Sequence, residues 1–299
     1  MLIGRITDSG CYWRMLRPSP PNDPPTAPWE ASRNFSKYRL KFKPKMAPQT
    51  MPKALVTGAS SGIGYAIAQH LLQNNWEVLG WSRRATGPQG MQTKQVDLRD
   101  PVSYKAALED LWQRDFSPDL LVHAAGQATM NHLVLEPDDR MEESWQLNLR
   151  SALWLVRDLS RRMRVRDHQG PQTSLGTHSS GKLMVLFSTI AVPMHWPGET
   201  LYTVCKAGLE QLVKQAAIEL EPWHIRINAL GPGPVDTPLW RSVPLPAQRA
   251  FLNSITPSTL TSMDEILAWL DRQILGQETG QIQYTRGYSR PSPSPEASV

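Results

Sequence analysis

From Pro52 onward the sequence switches repeatedly between short apolar runs and longer stretches with helical spacing, and that alternation narrows the fold more than any other feature. The runs are KALVT (53–57), EVLGW (77–81), TKQVDL (93–98), DLLVHA (119–124), KLMVLFS (182–188), RINAL (226–230) and QIQY (281–284). Helical periods occupy 62–74, 101–114, 139–166, 201–220 and 263–275. Strand, helix, strand in repetition predicts parallel pairing, because the chain must cross back over the sheet before the next strand can join. The strands are apolar on both sides of the pleat, which predicts burial on both faces. The expected fold is therefore α/β: a single doubly wound parallel sheet of seven strands with helices on both faces.

The first 50 residues do not share this pattern. They hold eight prolines, including PSPPNDPPTAP at 18–28, followed by the basic run KYRLKFKPK at 37–45. Such a composition cannot bury enough apolar surface to order itself, so 1–50 is expected to be a disordered basic extension. Met46 and Met51 each offer a start that would make it an upstream extension. No apolar core of a signal peptide is present, and Asp8, Asp23 and Glu30 argue against a transit peptide. Without secretion the Asn34-Phe35-Ser36 match to a glycosylation site carries no weight. The last dozen residues, YSRPSPSPEASV, read as a loose tail. The expected organisation is thus 1–50 extension, 51–287 catalytic domain and 288–299 tail.

Net charge is +5, but it is unevenly placed. Residues 1–50 carry nine Lys/Arg against three Asp/Glu, leaving 23 basic and 24 acidic residues for 51–299. The body has no bulk attraction for a polyanion, so no nucleic-acid partner is expected. No run approaches the ~20 apolar residues that span a bilayer, so no membrane partner is expected either. The two cysteines, Cys11 and Cys205, cannot build a disulfide framework, which favours a reducing cytoplasm. The histidines show no metal-ligand spacing.

The first strand runs directly into TGASSGIGYAIAQHLL (57–72). Gly58, Gly62 and Gly64 give the turn its tightness, and Ser60, Ser61 and Ile63 complete it. Glycine lets backbone approach a ligand closely, while the helix N-terminus offers unpaired N–H groups and the positive end of its dipole to a pyrophosphate. After the second strand the chain reads WSRRAT, with Ser82 and Arg83 where an NAD-preferring fold places an acid. A guanidinium attracts the 2′-phosphate that a carboxylate would repel, so the expected cofactor is NADP(H). In YTVCK (202–206), Tyr202 and Lys206 stand at i and i+4 on one helix face. A phenol of ordinary pKa near 10 is a fair acid, and an ammonium one turn away is expected to lower that pKa. Tyr202 could then protonate a carbonyl oxygen as hydride reaches its carbon.

TGASSGIG, the Tyr-xxx-Lys pair, an Asn in the fourth helical region and a Pro-Gly turn occur together in one order, and in this the chain resembles the short-chain dehydrogenase/reductase family over roughly 52–284. The resemblance implies a Rossmann-type sheet and reduction of a ketone or aldehyde to an alcohol. It assigns Asp97 and Leu98, in VDLRD, to the adenine-contacting turn, and Ala125 and Gly126, in HAAG, to the strand end beside the cofactor. His123 is a departure there. Asn148 would position water in a proton relay. Lys206 would also bond the nicotinamide ribose, and Pro232, Gly233, Val235 and Thr237 would cover the nicotinamide. The substrate-binding hydroxyl falls at Thr189, thirteen residues before Tyr202, where serine is usual; a slip of one residue in strand register would present Ser188 instead.

Trp240, Leu245, Phe251 and Leu252, in the segment that carries the family's lid, and His195 with Trp196 are apolar or aromatic candidates for the substrate pocket. The family's closing Gly-Gly is missing from ETGQIQYTRGY. The resemblance also implies a homodimer or homotetramer through the helices at 139–166 and 201–220. Two other functions remain open for such a chain: an NADP-binding sensor without turnover, and a lyase or epimerase on the same fold.

Overall fold

In the computed structural model, which describes residues 51–128, 130–163, 182–256 and 258–285, side chains leave each strand alternately to two faces, and each face has its own core. The strands are β1 (Lys53–Thr57), β2 (Glu77–Ser82), β3 (Gln92–Gln95), β4 (Leu120–His123), β5 (Lys182–Phe187), β6 (Ile225–Gly231) and β7 (Ile282–Tyr284). They form one parallel sheet in the order β3-β2-β1-β4-β5-β6-β7. Leu55 pairs with Leu79 on one side and with Leu121 on the other, and all three point to the same face.

That face is covered by α2 (Pro101–Gln113), α4 (Ser151–Met163) and α6 (Thr200–Leu220) through Leu111, Leu155, Leu159, Leu209 and Val213. The opposite face carries Ala54, Val56, Val122 and Val185 against α1 (Gly62–Gln73) and α9 (Met263–Leu275), which contribute Ile67, Leu71, Ile266 and Leu270. A fully buried leucine such as Leu159 stabilises the fold by about 2 kcal/mol through removal of its surface from water. The β1–β4 border, where the chain's crossovers reverse direction along the sheet, opens a crevice at the carboxyl ends of the strands.

Helix starts away from that crevice are capped in the ordinary way. Asp100 accepts hydrogen bonds from the Val102 and Ser103 N–H groups at 3.0 Å with Pro101 behind it, and Ser262 accepts from Glu265 N at 3.2 Å. Ser61, at the start of α1, makes no such bond.

The long helical period at 139–166 resolves into α3 (Asp138–Trp145), one π turn at Gln146–Arg150, and α4. A stripe of buried residues runs unbroken through the three, from Ser144 to Met163, so the pattern of burial alone does not reveal the wider turn. The third strand also ends earlier than its apolar run. Val96 N still reaches Ser82 O, but beyond it Asp97 is drawn into a turn by Arg99 and Ser103. Short helices α5 (Ala191–Met194), α7 (Pro238–Arg241) and α8 (Leu245–Asn253) complete the order. The extension at 1–50, the segment 166–181 and the tail at 288–299 lie outside the described residues.

Candidate active site

The first functional turn follows from two steric facts. A Cβ on Gly64 would stand 2.5 Å from the Gly58 carbonyl oxygen, and one on Gly58 would stand 2.8 Å from Ala125 N, while Gly58 and Gly62 both take positive φ. Only glycine fits there. The turn is thereby pressed against the end of β4, and the uncapped N-terminus of α1 faces outward with its N–H groups unspent on Ser61. This cradle, closed to side chains yet open to an anion, fits the pyrophosphate of a dinucleotide. Ser60 and Ser61 lie in the turn, and Ile63 lines the crevice.

Ser82 ends β2, and Arg83 follows it on the exposed surface. The Ser82 hydroxyl donates to Arg84 O at 2.5 Å. Arg99 grips Asp97 through a fork of 2.9 and 3.1 Å and, with a smaller pull from Arg83, holds its carboxyl below the usual range. Leu98 is a core residue, 4% exposed, so its side chain is turned away from any ligand.

The ends of β4, β5 and β6 bring the remaining residues together. Ala125 follows β4 beside Gly126, and the crevice is lined by Gly126, Thr189, Tyr202, Lys206, Gly233 and Thr237, among others. Pro232 and Val235 share that wall, and Thr237 also caps α7 by accepting from Trp240 N at 3.4 Å. Lys206 is 4% exposed; its ammonium donates to Phe187 O at 2.7 Å and sits 5.8 Å from the centre of the Tyr202 ring. Burial pulls the Lys206 pKa down to about 8.

The expectation that Lys206 lowers the Tyr202 pKa is not met in the free protein. Burial pushes the phenol up, the Glu199 carboxyl adds to that rise, and a hydrogen bond with the Thr189 hydroxyl acts against it. The tyrosine is therefore firmly protonated at neutral pH, which is the form an acid needs. Ala191 N donates to Thr189 Oγ1 at 3.2 Å, leaving the threonine proton for the Tyr202 oxygen beside it. Ser188 is different: its hydroxyl donates to Glu210 at 2.5 Å, a carboxylate that also accepts from the Tyr284 hydroxyl at 2.9 Å. Of the two neighbours, Thr189 is the hydroxyl available at the crevice. Tyr284 occupies the edge where the family's Gly-Gly is missing, and its ring passes so close to Gly231 that a Cβ there would meet it at 2.5 Å.

Asn148 lies in the π turn and is completely buried. Its amide is paired in both directions with the Gln127 backbone, accepting from N at 3.0 Å and donating to O at 2.9 Å, and it also donates to Ser144 Oγ at 3.0 Å. Next to it, His123 ends β4 at 1% exposure. The hydrogen bonds around the ring run one way. Ala125 N donates to Thr57 Oγ1 (3.3 Å), which donates to His123 Nδ1 (2.8 Å). The ring's Nε2–H donates to Ser151 Oγ (3.2 Å), and that hydroxyl donates to Leu147 O (2.5 Å). Burial, with a lesser contribution from Lys206, pushes the His123 pKa down to about 3. His123 is thus a neutral tie between β1, β4 and the π turn that carries Asn148.

Of the apolar candidates, Trp240 and Phe251 line the crevice, and Trp196 packs against Phe251 with the rings tilted by 52° and their centres 4.2 Å apart. Leu245 is 65% exposed and Leu252 packs in a small separate cluster. His195 sits at the left-handed end of α5, exposed. Sequence reasoning missed Glu199, which lines the same crevice; its position three residues before Tyr202, hence on the same helix face, was the available signal. Among the described residues no group of three or more His, Cys, Asp or Glu is arranged to hold a metal, and no helix is long and apolar enough to cross a membrane.

A family model described as short chain dehydrogenase matches residues 52–247. The 3-oxoacyl-[acyl-carrier-protein] reductase FabG of Escherichia coli (strain K12) is 26% identical over 244 residues, covering 78% of this chain and 95% of its own. FabG of Pseudomonas aeruginosa is 30% identical over 223 residues, covering 71% and 85%. Among solved structures, a 4-hydroxyisoleucine dehydrogenase complexed with NADH matches with a TM-score of 0.67 at 22% identity, over 79% of this chain and 97% of that one. Thermoplasma acidophilum aldohexose dehydrogenase in ligand-free form matches at 0.66 with 20% identity, over 79% and 92%. The fold, the glycine turn and the matched family model lead to one conclusion: the chain belongs to the short-chain dehydrogenase family of oxidoreductases.

Proposed function

We propose that this protein is an NADPH-dependent reductase of ketones or aldehydes. The observation that carries the reading is the convergence of Tyr202, Thr189 and Lys206 on one crevice beside the glycine turn. A bound nicotinamide supplies the hydride for the carbonyl carbon. Tyr202 gives its phenolic proton to the carbonyl oxygen, and the Thr189 hydroxyl donates a hydrogen bond to the same oxygen. The Lys206 ammonium, desolvated and held by Phe187 O, stabilises the phenolate left behind. Asn148, fixed against Gln127 and facing the same side of Gly126 as the Lys206 ammonium, is the candidate positioner of a proton relay that restores the phenol.

The preference for the phosphorylated cofactor rests on Arg83, an exposed cation directly after β2 where a carboxylate would oppose the 2′-phosphate. The FabG relatives, whose printed name is 3-oxoacyl-[acyl-carrier-protein] reductase, support a carbonyl substrate. A homodimer or homotetramer built on α4 and α6 is supported by the exposed Leu153, Val204 and Ile218 on those helices, and the cytoplasm is the proposed setting. Oxidation of NADPH and of NADH by a panel of ketones and aldehydes tests the reading. Ketone-dependent loss of NADPH absorbance is expected; tight NADPH binding without turnover would instead identify a sensor, and substrate conversion without net cofactor change a lyase or epimerase.

A further inference from the structure

The turn that leads into α6 is built so that one carboxyl faces the crevice. His195 and Gly198 both take positive φ, and Asn131 N donates to Gly198 O at 2.8 Å, tying the turn to the loop after β4. Glu199 then occupies the N-cap position of a 21-residue helix, but its side chain makes no capping bond. It lines the crevice with Tyr202, is 8% exposed, and its Oε2 has no hydrogen-bond partner; among the described residues it forms no ion pair. Burial lifts its pKa to about 7. On the wall of the same crevice stand the rings of Trp240 and Phe251, edge to face with centres 5.5 Å apart.

A buried, unpartnered carboxyl is costly, and the natural relief is a ligand that brings the missing charge. A neutral hydroxyl or amide would be met as well by Gln or Asn, without that cost. A cation gains twice, from the carboxylate and from the faces of the aromatic rings. Glu199 and Tyr202 are one helical turn apart, so the ligand's cation and its reacting oxygen are separated by about 5 Å. We propose that Glu199 is a specificity-determining residue for a substrate that bears a protonated amine a few bonds from its carbonyl, the carboxylate taking the ammonium while Tyr202 and Thr189 take the oxygen. The proposal deepens the reductase reading and rests on it for turnover, but its binding half stands independently.

The test uses the full chain, with and without NADPH, and two pairs of probes. Calorimetry compares 2-phenylethylamine, protonated at pH 7.5, with its neutral counterpart 2-phenylethanol. The amine is expected to bind about tenfold tighter to the wild type, and Glu199→Gln to shrink that gap to roughly twofold. Glu199→Asp, which keeps the charge, is expected to retain a gap larger than that of Glu199→Gln. Equal binding of the two probes to the wild type, or a gap unchanged in Glu199→Gln, overturns the inference. The turnover arm compares β-aminopropiophenone, whose extra methylene lets the ammonium stand that far from the carbonyl oxygen, with propiophenone; the ratio of their kcat/KM values is expected to fall about tenfold in Glu199→Gln. If neither ketone oxidises NADPH while the amine gap is present and lost in Glu199→Gln, the reductase reading fails and the cation site stands. If ketones turn over but the ratio is the same in both proteins, the reductase reading stands and the cation site fails.

Discussion

The two walls of the crevice treat their buried polar atoms in opposite ways. On the β1–β4 wall Thr57, His123, Ser151 and Asn148 are bonded to one another or to backbone, with donors and acceptors matched in sequence. On the α5–α6 wall Trp196 Nε1 and Glu199 Oε2 are buried without partners, and aromatic contacts replace hydrogen bonds. A matched network holds a scaffold in one shape. Polar atoms left unmatched mark the side where a ligand is awaited. The comparison therefore separates residues whose loss should damage folding from those whose loss should damage recognition.

The largest effect expected is at the junction of the walls. Tyr202→Phe should lower turnover about 10³-fold, the scale of general acid catalysis, while NADPH affinity and melting temperature stay near wild type; stopped-flow, fluorescence titration and thermal unfolding read the three quantities. A variant that still turns over ketones at the wild-type rate removes Tyr202 from the chemistry. Directly after β2, Arg83→Asp should reduce kcat/KM for NADPH by about 10²-fold through loss of a charged hydrogen-bonding partner and gain of a repelling one. NADH, lacking the phosphate, should be little affected, and equal losses would remove the 2′-phosphate role.

His123→Leu breaks the matched wall directly. It leaves the buried Thr57 proton without an acceptor and Ser151 Oγ without its donor, so unfolding in urea should show a loss of about 2–4 kcal/mol. The wild type should also show the ring's titration. Because the folded pKa lies near 3, below the unfolded value of 6.5, the stability His123 contributes is present above pH 6.5 and is lost as pH falls toward 3. The loss between pH 6.5 and 4 should reach about 3 kcal/mol in the wild type and be absent from the variant.

Glu199→Gln should do the reverse. Its folded pKa near 7 is raised above the usual 4.5, so the wild-type contribution is full below pH 4.5 and disappears as pH rises through 7. Between pH 5 and 8 the variant should gain about 2 kcal/mol relative to wild type. A wild type that loses no stability over that range relative to the variant would mean that the carboxyl is already paired.

How much of this could be read from the sequence depends on the kind of constraint. The sheet was legible because strands buried on two faces leave few polar residues, as in Ala54–Thr57, and because crossovers force parallel pairing. The glycine turn was legible because only one residue type tolerates its contacts. Tyr202 and Lys206 were legible as a helical i, i+4 pair. The π turn was hidden because its buried stripe keeps the spacing of an ordinary helix. The choice between Ser188 and Thr189 was hidden because it depends on Glu210 and Tyr284, residues 22 and 74 positions from their partners. Glu199 escaped because an N-cap carboxylate is commonplace in sequence; only its burial without a capping bond sets it apart.

The one-way run of donors through His123 also supplies a natural spectroscopic probe. An imidazole proton on Nε2, locked in one tautomer and shut off from water, should exchange slowly with deuterium and resonate apart from the solvent-exposed histidines. Following that single signal during heating or ligand addition would report when the seam between β1, β4 and the π turn parts, without any label.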